Sequence, residues 1–364
     1  MELIDARRDG GEAGIPSLLA LRALNLGDLL VAVPALRALR RGFPRHRVVL
    51  ATPRVLEPLV ARSGAVDALL DTPEPAALRW SGPPPDVVVN LHGTGPQSHH
   101  ALDALGARER IGFRAAGWDG PEWAEVAARH PHERERWCAL LEHHGIPADP
   151  LDLALPHPLE SRDPGARGGT SGGASRGIGG REPPADAAVL VHPGAAFGSK
   201  RWPAERYAAV AAALERAGRC VLVTGSAGER PLAAQVAGSA GLAEDRVLAG
   251  RTDLDALCRL VARAALVVSG DTGIAHLASA FGTPSVVLFG PVGPQQWGPP
   301  PDGPHVTLGD ARVRRGERFR DDPDPALLAI DPAQVLRAAA QAERLGRCRG
   351  RNRRTHRWAP DHAG

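Results

Sequence analysis

Lysine is nearly absent from these 364 residues: of 44 lysines plus arginines, Lys200 is the single lysine. The arginine bias runs along the whole chain, yet it isolates one compact ammonium, and a guanidinium does not replace a point charge at every site. Aromatic residues make up 4%. Four cysteines, Cys138, Cys220, Cys258 and Cys348, lie far apart without CxxC spacing. That spacing suggests neither a cysteine-built zinc site nor a disulfide framework, and the four read as reduced packing residues. No run approaches the roughly 20 apolar residues of a membrane span, and residues 1–15 lack the apolar region of a secretory signal, so a cytoplasmic protein is expected. Net charge is only +3 and the basic excess falls in residues 347–357, so no nucleic-acid partner is expected. That basic tail reads as a solvated terminus, with peripheral contact to anionic lipid of the inner membrane as the other reading.

What is present is an ordinary globular composition, 43% apolar and 23% charged, on a chain long enough for two cores. Residues 1–16 are expected to be disordered and residues 17–160 to form a first domain. Residues 17–24 read as a strand, residues 25–28 as a tight turn, and the apolar periodicity to residue 41 as a helix that Pro34 either kinks or begins. Residues 47–51 and 86–91 are short β-branched runs of the buried parallel type. Residues 161–186 hold Gly, Ser, Arg and Pro with few large apolar side chains and read as a linker. A second domain is expected over 187–345, followed by a tail over 346–364. Within it, strands are expected at 187–192, 220–224, 265–269 and 285–289. Helices are expected at 204–217, 230–237, 254–262, 274–281 and 332–342, which is a doubly wound α/β unit.

Three strand-to-helix turns in the second half carry candidate chemistry. In Ser269-Gly-Asp-Thr-Gly-Ile-Ala-His276, a helix start rich in small residues offers unpaired N–H groups and the positive end of a dipole to a diphosphate. Asp271 then suits sugar hydroxyls, and His276 donates to phosphate. The competing reading is a capped helix, with Asp271 or Thr272 as its cap. In His192-Pro-Gly-Ala-Ala-Phe-Gly-Ser-Lys-Arg-Trp-Pro203, Lys200 is placed to meet an anion, while His192 reads equally as a hydrogen-bonded strand end. In Thr224-Gly-Ser-Ala-Gly-Glu229, Glu229 either binds ribose hydroxyls or sits in a first helical turn. The glycines there do not match GxGxxG. In the first half, Asp28 lies at the carboxyl end of a strand, where a carboxylate serves as a general base or as a helix cap. P-loop, HExxH and Ser-His-Asp patterns are missing.

Taken together, these segments resemble glycosyltransferase family 9, the heptosyltransferases. The likeness rests on Leu26-Gly-Asp-Leu-Leu with Pro34-Ala-Leu-Arg-Ala-Leu-Arg, and on His192-Pro-Gly-Ala with Lys200-Arg-Trp-Pro. It extends to Ser269-Gly-Asp-Thr-Gly-Ile-Ala-His, Phe281-Gly-Thr-Pro and Phe289-Gly-Pro, and so spans residues 18–299. The resemblance implies an α/β GT-B fold, two Rossmann-like domains facing across a donor and acceptor cleft. It implies an inverting, metal-independent, cofactor-free transfer of a sugar, typically heptose from ADP-heptose, onto a hydroxyl of lipopolysaccharide core or another cell-surface glycan; a monomer is expected. Asp28 matches the family's base. Lys200, Thr272, Gly273 and His276 match the diphosphate site, Glu229 the ribose and Asp271 the donor sugar. The long linker and the ending after residue 299 depart from the family pattern. Two alternatives stay open: another nucleotide-sugar donor with a small-molecule acceptor, and a non-catalytic nucleotide-sugar-binding module.

Overall fold

A computed structural model of the chain describes residues 1–4, 14–158 and 188–356. The expected linker at 161–186 lies outside the described residues, as do 5–13 of the expected disordered start and 357–364 of the tail. Two compact units divide the chain: Met1–Leu155 with Gln295–Gly298, and Pro156–Pro294 with Pro299–Gly364.

Unit 1 is built on six strands, β1 (Glu2–Ile4), β2 (Ser17–Leu21), β3 (Arg47–Thr52), β4 (Ala68–Asp71), β5 (Val87–Asn90) and β6 (Glu109–Ile111). They pair in the order β1-β4-β3-β2-β5-β6, every pair parallel. Parallel neighbours need crossovers, and these carry α1 (Leu26–Gly42), α2 (Glu57–Ser63) and α3 (Pro96–Asp103), with α4 (Trp123–Arg129) and α5 (Glu133–His143) after β6. Central β2 is apolar at every position after Ser17 because both of its faces are covered. One expectation fails here and another is narrowed. Glu2–Ile4, read as part of a disordered start, pairs with β4 in the register Leu3↔Leu69. Of the two readings of Pro34, the one in which it begins the helix is excluded, because α1 starts at Leu26 and runs through it. A proline inside a helix costs about 3 kcal/mol, whereas each large apolar side chain buried contributes about 1.5–3 kcal/mol. Leu29, Leu30, Val31, Val33, Leu36 and Leu39 are all buried around it, so packing prevails.

Unit 2 repeats the plan with β7 (Ala188–His192), β8 (Cys220–Val223), β9 (Leu266–Gly270), β10 (Ser285–Leu288) and β11 (His305–Leu308), ordered β11-β10-β9-β7-β8 and again all parallel. The helices are α6 (Ala204–Arg216), α7 (Arg230–Ser239), α8 (Leu254–Arg263), α9 (Gly273–Phe281), α11 (Pro325–Leu328) and α12 (Pro332–His356), while residues 295–297 of the short α10 (Pro294–Trp297) are grouped with unit 1. Its core joins Val189, Val191, Trp202, Tyr207, Val221, Val268 and Leu288 to Val335 and Ala339 of α12. Helix α12, expected to stop at residue 342, continues to His356. The stretch beyond 342 is rich in good helix formers, and Gly346 does not break it. A Cβ on Gly346 would lie 2.7 Å from Cγ of Pro284, so the glycine admits close packing of the helix. Among the described residues, no helix is long and apolar enough to cross a membrane.

Candidate functional site

In unit 2 the strands β8, β7 and β9 are adjacent and parallel, so the loops leaving their carboxyl ends gather along one edge, the ligand edge of an open α/β sheet. The loop after β9 begins with Asp271, 6% exposed, whose N–H donates to Leu288 O at 3.1 Å. Lys200, arriving from the loop after β7, places Nζ 2.8 Å from Asp271 Oδ2. His276 Nε2 lies 3.9 Å from Asp271 Oδ1. The cation and the carboxylate that the sequence assigned to different parts of a donor are thus in contact with each other. Thr272 occupies the N-cap of α9 in an extended conformation but makes no side-chain cap bond, and its buried Oγ1 has no hydrogen-bond partner. The first amides of a helix lack intrahelical acceptors, so Gly273 opens α9 with donors and a positive dipole end available to an anion.

The loop after β8 holds Glu229, which occupies the N-cap position of α7 without a side-chain cap bond. Its Oε2 accepts from the N–H of Ser226 at 2.8 Å and from the Ser226 hydroxyl at 2.9 Å. Burial alone would raise its carboxyl pKa, but the Ser226 donors and the neighbouring His192 outweigh that and hold it below the ordinary carboxylate value. His192, at the end of β7, meets Thr224 Oγ1 through Nδ1 at 3.1 Å, and burial pushes its pKa down against the pull of Glu229. Gly194 lies between them without a side chain for a geometric reason: a Cβ there would fall 2.1 Å from Glu229 Oε1. The only tyrosine, Tyr207, is buried against Trp202. Its hydroxyl bonds the main chain of Gly270, and burial raises its pKa.

Unit 1 has its own polar cluster at the carboxyl edge of its sheet. Asn25, not Asp28, occupies the N-cap of α1; Asp28 lies in the first turn, where the dipole favours a carboxylate, so the cap reading of Asp28 fails. Beside it stands a residue sequence reasoning missed. Arg22, 1% exposed, follows β2 directly. Its Nε donates to Asp28 O at 3.0 Å, its Nη1 donates to Leu91 O, and its guanidinium lies 4.6 Å above the Trp137 ring. Its Nη2 is 3.7 Å from Asp28 Oδ1 and makes no hydrogen bond. Burial lowers the Arg22 pKa, opposed by the charges of Asp28 and Glu133. His92, after β5, has its pKa lowered by burial and by Arg22. The one signal in the sequence was a charged residue ending an otherwise apolar strand.

Residues 101–309 match the family described as Glycosyltransferase family 9 (heptosyltransferase). The chain belongs to that family. The matched range contains Lys200, Glu229, Asp271, Thr272, Gly273 and His276, and Asp28 precedes it. Lipooligosaccharide heptosyltransferase 2 of Haemophilus influenzae is 40% identical over 152 residues, 40% of this chain and 44% of that protein. The protein of the same description from Haemophilus ducreyi is 34% identical over 162 residues, 41% and 45% of the two chains. The match thus spans less than half the length of these curated relatives. Among solved structures, the E. coli ADP-heptose lps heptosyltransferase II superposes with a TM-score of 0.65 at 20% identity, over 90% of this chain and 98% of that one. At that identity the likeness speaks for the fold, a GT-B arrangement of two Rossmann-like domains. An iron-containing dodecameric glycosyltransferase, TibC, shares the fold at a TM-score of 0.53. Among the described residues of this chain, no group of three or more His, Cys, Asp or Glu is placed to hold a metal ion.

Proposed function

We propose that the chain is an inverting glycosyltransferase that moves heptose from ADP-heptose onto a hydroxyl of lipopolysaccharide core or another cell-surface glycan. The observation that carries this reading is the convergence of three adjacent loops in unit 2. They bring Lys200 to Asp271 at the start of α9 and hold the ionised Glu229 on the neighbouring loop. An ammonium, free helix amides and an acceptor carboxylate match a diphosphate and a ribose, and the family membership supports the donor class.

In this reaction the acceptor oxygen attacks the anomeric carbon as the bond from that carbon to the diphosphate oxygen breaks. The electron pair leaves with the nucleoside diphosphate, and the hydroxyl proton passes to Asp28. One displacement inverts the anomeric centre. The growing phosphate charge falls to Lys200, His276 and the amides around Thr272 and Gly273, and no metal is assigned a role. For this, Lys200 leaves Asp271 for the phosphates as the donor binds, which frees the Asp271 carboxylate for sugar hydroxyls. The enzyme is read as a cytoplasmic monomer, with residues 347–357 available to an anionic membrane surface.

Mass spectrometry of nucleotide released from a panel of nucleotide sugars, with core lipopolysaccharide as acceptor, tests the proposal. ADP from ADP-heptose is the expected product, and Asp28→Asn lowers its rate by about 10²–10⁴-fold. Release only from another donor would replace the donor assignment, and full activity in Asp28→Asn would remove the base.

A further inference from the structure

The guanidinium of Arg22 is fixed on three sides. Nε binds the main-chain oxygen of Asp28, Nη1 binds the main-chain oxygen after β5, and the flat face stacks on Trp137 of α5. A planar fork is the group that can serve two carbonyls and a ring at once. The remaining arm, Nη2, is buried, carries no hydrogen bond, and stops 3.7 Å short of the Asp28 carboxylate. A buried cation with a free donor at that spacing is costly to keep. Packing alone does not call for it, since an apolar side chain would cover Trp137 without the desolvation.

We propose that Arg22 is the positioning residue of Asp28, clamping the main chain that carries it while leaving its carboxylate oxygens unbonded. The inference rests on Asp28 as the base of the proposed transfer. The missing bond matters to such a base. A carboxylate engaged by a bidentate arginine has its lone pairs occupied, whereas one whose arginine stops at 3.7 Å keeps both oxygens open to a proton. The charged and titratable groups around the guanidinium are Asp28 on α1, His92 after β5, and Glu133 on α5, whose carboxylate already binds Arg136 at 3.0 Å. Asp28 is therefore the partner left for the free arm.

The test reads the coupling of the two side chains through turnover. With ADP-heptose and core lipopolysaccharide, Arg22→Met in the full-length protein is expected to lower kcat about 10-fold while the KM for donor and the affinity for ADP stay unchanged. Arg22→Gln, which still donates to one main-chain carbonyl, takes its place if the methionine variant does not fold. Arg22→Lys does not restore kcat, because a single ammonium does not hold both carbonyls and the ring. In the Asp28→Asn background Arg22→Met brings no further loss, because the group it positions is already gone. An unchanged kcat in a folded Arg22 variant, or an equal further loss in the Asp28→Asn background, overturns the inference. Full turnover in Asp28→Asn itself removes the base reading instead.

Discussion

Asp271 is 6% exposed and Lys200 is its ion-pair partner, so the two are tied in stability as well as in ligand binding. Lys200→Met strands a buried carboxylate. Losing one member of a buried pair costs about 3–5 kcal/mol, and the partial exposure of Lys200 reduces that to about 1–3 kcal/mol. The proposed donor site adds a second consequence: calorimetry should find ADP bound about 10- to 100-fold more weakly. Lys200→Met with Asp271→Asn is expected to restore the melting temperature but not the affinity, and recovery of both would return Lys200 to a structural role. At this scale the legible residues were those with unusual chemistry for their place, Lys200 by scarcity and the 269–276 turn by its small residues opening a helix. The contact between Lys200 and Asp271 was not legible, because it depends on strand order. Arg22 was missed for the same reason: its partners Leu91 and Trp137 lie on other elements far along the chain.

Lys200 is held in place by its own loop, and that loop is packed under residues 309–324. Ser199 N–H donates to Arg320 O at 2.8 Å, and Ser199 O accepts from Asp324 N–H at 3.1 Å. A Cβ on Gly198 would sit 1.7 Å from the main-chain oxygen of Asp321. Gly198→Ala must therefore lift one segment off the other, an overpacking cost of about 1–3 kcal/mol. A lowered melting temperature together with loss of ADP binding is the expected pair of results; an unchanged melt would mean that 309–324 is loosely held. The elements the sequence announced were those with both faces buried, such as β2, β7 and β9, whose apolar runs need no partner to be recognised. Strands β6 and β11 escaped notice because they are edge strands of three and four residues, exposed or half-buried at most positions, so no apolar run marks them. The helix α12 was expected to stop at residue 342 and runs on past Gly346, whose missing Cβ lets it pack on Pro284.

Across the whole molecule, two parallel sheets with separate cores each carry imidazoles whose protonation folding opposes. Burial lowers the pKa of His92 and His144 in unit 1 and of His192 in unit 2. The sign follows from proton counting. Below the ordinary imidazole value of about 6.5, the unfolded chain binds protons that the folded chain refuses, so stability falls as pH drops, by no more than about 1.4 kcal/mol per pH unit for each group. Glu229 acts in the same direction at lower pH, because its carboxyl is held below the ordinary value and its contribution is lost as pH falls through that depressed value. Because the cores are separate, the two units need not melt together, and the groups can be assigned by variant. Calorimetric melts between pH 7.5 and 5 should show both transitions moving down. His192→Gln, whose amide still reaches Thr224, should flatten the pH dependence of the unit 2 transition and leave that of unit 1 as it was. Equal slopes in the variant and the natural chain would mean that the His192 imidazole accepts its proton without unfolding.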